Sequence, residues 1–313
     1  MKIPLNLVNF YTTASTLLGN QDSYVAEHQL QPLPQVELSS LEHWGHYAAA
    51  TYQRFEDWSA CTACQFTDIR SSVLNATWST ALPAFSRGYV AIQEERREIT
   101  VAFRGTTHIM DALSDVQLLQ SPWPADRRSG SRVHTGFLLA YLSARPHVLG
   151  ALERISADPM YAEYSLCFVG HSLGGAQATL AYIDYMSRFE KAQLILPRLV
   201  TFGAPRVGNA QFAALVGGSS PKSGESLDAL RVVHEMDIVP HLPRSLYPGH
   251  YVHSDREVWA RDGDSGNSTE LILCQPSSSP DGDPGCSSGT SPLQWSIRDH
   301  MVYPGMQLGI PEY

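Results

Sequence analysis

The chain reads as an α/β protein, with a mostly parallel sheet covered by helices on both faces. Three observations predict this. Largely apolar runs at residues 165–169, 199–202 and 229–234 are short enough to be buried strands. Helical patterns separate them, as in a parallel sheet whose crossovers cover both faces. Finally, a glycine-rich turn at residues 170–175 joins one apolar run to an alanine-rich helical stretch.

In chain order, residues 1–37 show weak periodicity and are expected to be a peripheral signal or pro segment, with the catalytic-type domain spanning 38–313. Met1-Lys2 followed by Ile3, Leu5, Leu7, Val8 and Phe10 resembles a secretory leader, although Pro4, Asn6 and Asn9 interrupt it. A helix is predicted from Ser39, where Ser39 and Glu42 have capping-box spacing. Leu41, Trp44, Ala48 and Tyr52 give it one apolar face. Residues 88–93 and 98–103 form a predicted hairpin around Glu94-Glu95-Arg96-Arg97. A helix over 136–155 is expected to break near Pro146. After the central strands, residues 257–260 and 270–274 are predicted strands, and 261–269 and 275–294 are predicted loops.

Composition narrows the function. A net charge of −9, with no Lys/Arg-rich run, excludes a nucleic-acid-binding face and attraction to anionic membranes. Neutral esters and lipids remain. No stretch of 18 apolar residues is present, so no transmembrane segment is predicted.

Five cysteines need an account. Cys274 and Cys286 flank a loop rich in Ser, Pro, Gly and Asp, and a bridge between them would pin a segment that has no core of its own. Cys167 lies in an apolar run and reads as a buried free thiol. Cys61 and Cys64 leave three readings open: a local disulfide, a redox pair, or zinc ligands together with His43 and His46. Asn75-Ala76-Thr77 and Asn267-Ser268-Thr269 are glycosylation sequons. Bridges and glycans both belong to a secreted protein.

The chemistry centres on Gly170-His171-Ser172-Leu173-Gly174. This G-x-S-x-G pattern, between a strand and a helix, is the nucleophile elbow of the α/β-hydrolase fold. Side chains at Gly170 and Gly174 would collide where strand and helix pass. A serine hydroxyl needs a base, and the base needs an orienting carboxylate; in this fold the order is Ser, acid, His. Asp237 lies where a strand gives way to a proline-bearing loop, and Glu235 is its rival. His241, His250, His253 and His300 qualify as the base by order, and His300 follows the long loop.

The chain at this point resembles the fungal class 3 lipases, a family that also contains a feruloyl esterase branch. The resemblance rests on Ala102-Phe103-Arg104-Gly105-Thr106, Val133-His134-Thr135-Gly136-Phe137, the Ser172 elbow, Thr201-Phe202-Gly203-Ala204-Pro205-Arg206-Val207-Gly208-Asn209, Asp237-Ile238-Val239-Pro240-His241-Leu242-Pro243, Tyr251-Val252-His253, Glu257-Val258-Trp259 and Asp299-His300. It covers residues 38–307 and implies a secreted serine esterase. By this likeness Ser172, Asp237 and His300 form the triad. Thr106 and the backbone N–H of Leu173 form the oxyanion hole. The segment after Thr106 is the lid, with Ile109, Met110, Leu113 and Val116 on its apolar stripe. The family's lipases often carry a lid tryptophan, where this chain has Ala112. The resemblance implies acylglycerols as substrates, feruloyl esters as the alternative, and an inert binding relative as a remote third. A monomer acting at a lipid–water interface is expected, with no metal and no cofactor.

Overall fold

The computed structural model describes residues 31–32, 35–81, 85–106, 119–125, 130–188, 197–217, 228–245, 250–254, 256–262, 269–277, 279–304 and 306–309. Its main sheet has nine strands: β1 (Gln31–Pro32), β2 (Val73–Ser79), β3 (Arg87–Gln93), β4 (Glu98–Phe103), β5 (Ser165–His171), β6 (Arg198–Phe202), β7 (Asp228–His234), β8 (Glu257–Asp262) and β9 (Thr269–Leu273). Their spatial order is β1-β9-β8-β7-β6-β5-β4-β3-β2. The central run from β4 to β8 is parallel, and both edges are antiparallel.

Parallel neighbours need crossovers, and these supply the covering layers. Helices α2 (Thr135–Ala157) and α3 (Leu173–Arg188) lie on one face; α1 (Gln35–Ala50) covers the other. The period-2 alternation of strands sorts side chains between the two cores. Ile99, Val101, Phe103, Leu166 and Phe168 point to the α2/α3 side. Ala102, Cys167 and Val169 point to the α1 side, with Tyr47, Ala48 and Phe55. Both faces of β4 and β5 are therefore buried, which is why their sequences lack a polar period.

Helix α1 begins at Gln35, before the expected start at Ser39, so the capping-box pair falls inside it. Gln31–Pro32 pairs with Leu273 and Ile272, which ties part of the 1–37 segment to the sheet edge; residues 1–30 lie outside the described residues. Helix α2 continues through Pro146 without the expected break. Pro146 and Leu142 are both exposed, so water can serve the carbonyl that the proline leaves without a donor.

Cys61–Cys64 and Cys274–Cys286 are disulfides, and Cys167 is a buried free thiol. The first bond consumes both thiolates that zinc would need. His43 and His46 instead contact carboxylates: His43 meets Asp68 and Glu98, and His46 meets Asp68. The second disulfide packs with Val233, Trp259 and Ile272 in a small core of its own. Among the described residues, no helix is long and apolar enough to cross a membrane.

Candidate active site

Ser172 sits at the end of β5, before α3, with φ of 59°. That left-handed conformation is costly for a residue with a side chain, and the surrounding turn must enforce it. The enforcement is visible. Ser172 N–H donates to Phe202 O at 2.9 Å, and Gly175 N–H donates to Ser172 O at 2.9 Å. A Cβ at Gly170 would lie 2.3 Å from the Gly174 backbone, and one at Gly174 would lie 2.2 Å from Phe103 O. The glycines therefore permit the strand–helix approach that the sequence requires.

Asp237 follows β7, two strands from β5, beyond the same C-terminal ends of the parallel strands. It is fully buried, and its carboxylate accepts from three donors, one of them shared between its two oxygens. His300 Nδ1 is 2.8 Å from Oδ2 and 3.0 Å from Oδ1. Tyr303 Oη donates to Oδ2 at 2.7 Å, and Val239 N–H donates to Oδ1 at 2.8 Å. A carboxylate only accepts, so His300 Nδ1 carries the proton and Nε2 presents a lone pair. His300 is 1% exposed. Its Nε2 and Ser172 Oγ are both buried and have no hydrogen-bond partner among the described residues.

The other acid and histidines considered have different surroundings. Glu235 has φ of 40°, and its carboxylate accepts the backbone N–H of Asp262. His241 stacks flat on Trp295 with ring centres 4.2 Å apart. His253 Nε2–H donates to Pro240 O at 2.7 Å. His250 is exposed.

Two supports were not singled out from the sequence. His171 Nε2–H donates to the carbonyl of His300 at 2.8 Å, and its Nδ1 accepts from Tyr52 Oη at 2.7 Å. Burial, and then the neighbouring His300, push its pKa well below the usual imidazole range, so it stays neutral as these two bonds require. Tyr303 is the other. Burial first, and the Asp237 carboxylate second, hold its hydroxyl well above its ordinary pKa, so it remains a donor. The only signal for Tyr303 was its place three residues after His300.

Thr106 follows β4 and is half-buried; Leu173 opens α3 and is half-buried. A Cβ at the adjacent Gly105 would lie 2.9 Å from Ser172 Cβ, so this backbone runs against the serine. Ile109, Met110, Leu113 and Val116 lie outside the described residues, as does Asn267. Asn75 is exposed, on the edge strand β2, at an irregularity in its pairing with β3. Glu257, Cys274 and Cys286 cluster as metal-ligand types, but both sulfurs are spent in a disulfide.

The family profile described as lipase (class 3) matches residues 100–247. The chain is 30% identical over 275 residues to a lipase of Rhizomucor miehei, covering 88% of this chain and 70% of that protein. It is 26% identical over 261 residues to secreted mono- and diacylglycerol lipase A of Penicillium cyclopium, covering 80% of each. It spans only about half of a Rhizopus niveus lipase, 53% of that protein, at 32% identity over 72% of this chain. A solved triacylglycerol lipase whose catalytic centre is a serine protease triad superposes with a TM-score of 0.74 at 27% identity, covering 90% of this chain and 98% of that one.

Proposed function

The chain belongs to the class 3 lipases, a family of carboxylic ester hydrolases, and from that premise we propose that it is a secreted acylglycerol lipase working through Ser172, His300 and Asp237. One observation carries the reading: Asp237 accepts the Nδ1–H of His300, while His300 Nε2 and the Oγ of Ser172, whose neighbour His171 packs on the His300 ring, are buried without a partner among the described residues. A base needs its lone pair free, and hydrogen bonds of this kind often tighten only when substrate arrives.

The chemistry follows the serine-hydrolase sequence. Ser172 Oγ attacks the ester carbonyl while His300 Nε2 takes its proton. The imidazolium that forms is stabilised by Asp237, whose charge is shared among three donors, His300, Tyr303 and Val239. The tetrahedral oxyanion is bound by Thr106 and the Leu173 N–H at the N-terminus of α3; losing one such donor typically costs about 10²–10³ in rate. His300 returns the proton to the departing alcohol, and water repeats the cycle on the acyl-enzyme. By the family resemblance we assign Ile109, Met110, Leu113 and Val116 to the apolar stripe of a lid. The two disulfides and the exposed sequon asparagine, Asn75, support an oxidising, extracellular setting.

Hydrolysis of p-nitrophenyl esters from acetate to palmitate tests the substrate class, with Ser172→Ala beside the wild type. Turnover of medium or long chains that vanishes in the variant is the expected result. Turnover confined to short chains would replace acylglycerols with the feruloyl or short-chain esterase reading.

A further inference from the structure

We propose that His234 is a positioning residue for this reaction, holding the base segment against the acid loop through a hydrogen bond to the carbonyl of Asp299. The proposal rests on the triad reading above.

His234 closes β7, three residues before Asp237, and is 3% exposed. Its Nδ1 is 3.1 Å from the backbone oxygen of Asp299, the residue before His300. A carbonyl only accepts, so Nδ1 carries the proton and donates. Its Nε2 lies 3.4 Å from Asp262 Oδ1 on β8, the contact on the far side of the ring. The ring also packs beside Tyr303, with centres 5.6 Å apart.

This bond is one of a set stitching the two segments together. Met236 N–H donates to Asp299 Oδ2 at 3.2 Å. Ser296 N–H donates to Met236 O at 2.7 Å, and Ile238 N–H to Ser296 O at 3.3 Å. Asp299 N–H donates to Ser296 Oγ at 3.2 Å. His300 has no regular strand to hold it: it ends a four-residue helix, Ile297–His300, at the close of a long loop. Its approach to Asp237 depends on these links. Among them only His234 is a side chain of the sheet, so it refers the base directly to the rigid β7 frame. His171, on β5, donates to the carbonyl of His300. The two histidines therefore grip consecutive carbonyls from two different strands, fixing both the position and the orientation of the peptide between them.

The two amide isosteres of histidine separate this role from plain packing. Asn places an N–H where Nδ1 sits, and Gln places one where Nε2 sits. We expect His234→Asn to keep kcat near the wild-type value on p-nitrophenyl butyrate. His234→Gln should lower kcat about ten- to a hundredfold with KM nearly unchanged, the scale of an ångström-level misplacement. Both variants should lose similar melting temperature, because both disturb the same buried site. Equal kcat in the two variants, or a loss confined to KM, would overturn the proposal. Should either fail to fold, Asp262→Ala decides: its side chain is 55% exposed, so folding is spared. Freeing the far side of the ring must then lower kcat at least about threefold; unchanged kcat overturns the role. His300→Ala and Asp237→Ala run alongside. Full activity in those would sink the triad reading itself. Their inactivity beside equal Asn and Gln variants would sink only the role of His234.

Discussion

Gly203 offers the sharpest perturbation of the acid–base contact without touching either partner. It follows β6 with φ of +57°, and an added Cβ would lie 2.6 Å from Asp237 Oδ2, 2.6 Å from Tyr303 Oη and 2.9 Å from His300 Nδ1. Ordinary Cβ contacts begin near 3.4 Å, so the carboxylate must yield by the difference of 3.4 and 2.6, roughly 0.8 Å. Both of its main donors are pushed by the same methyl group, so the cluster cannot move as one unit. Gly203→Ala also forces alanine into the left-handed region, at about 1–2 kcal/mol. Stability should fall by that amount plus the steric strain, or roughly 2–4 °C per kcal/mol in a chain of this class. Displacing the orienting carboxylate by nearly an ångström should lower kcat by about 10² with KM little changed. Scanning calorimetry and p-nitrophenyl butyrate kinetics measure both. A protein that melts earlier but keeps its kcat would refute the reasoning, because the Asp237–His300 contact would then be irrelevant to turnover.

Other outcomes follow from the same geometry. Tyr303→Phe removes an O–H donated to a buried carboxylate and should cost about 1.5–3 kcal/mol by chemical denaturation, with a fall in kcat. Cys286→Ala opens a bridge spanning 12 positions and should lower stability by about 2–4 kcal/mol, together with activity, because the freed loop leads to His300; unchanged melting temperature and activity would remove the bridge's assigned role. His134 and His241 are buried, and burial lowers both to a pKa of about 4 from an ordinary 6.5. Their folded pKa lies below the unfolded one, so their contribution is complete above about pH 6.5 and is lost as pH falls toward 4. That loss is on the order of 3 kcal/mol per group, and His241→Gln should flatten part of the acid limb in a pH series of melting temperatures.

The central strands and the elbow were legible because burial on both faces leaves a strong apolar run, and because a strained serine turn demands glycines on either side. The edge was not. In β2 only Trp78 is buried, and Asn75 interrupts the pairing, so its sequence carries almost no strand period. The continuity of α2 through Pro146 depends on which side of the helix meets water, which only packing decides. Asp237 was separable from Glu235 by the resemblance but not by pattern, since both fit the end of β7; the backbone reversal at Glu235 is what turns its carboxylate away toward Asp262. His171, Tyr52 and His234 act through contacts across long stretches of sequence, and no local motif encodes such pairs.

The central claim, that Ser172 is the nucleophile, is tested most directly by reaction with a fluorophosphonate followed by intact-mass and peptide mass spectrometry. One adduct per chain is expected, on Ser172, formed in step with the loss of esterase activity. An adduct on another residue, or complete inactivation with Ser172 unmodified, would contradict it.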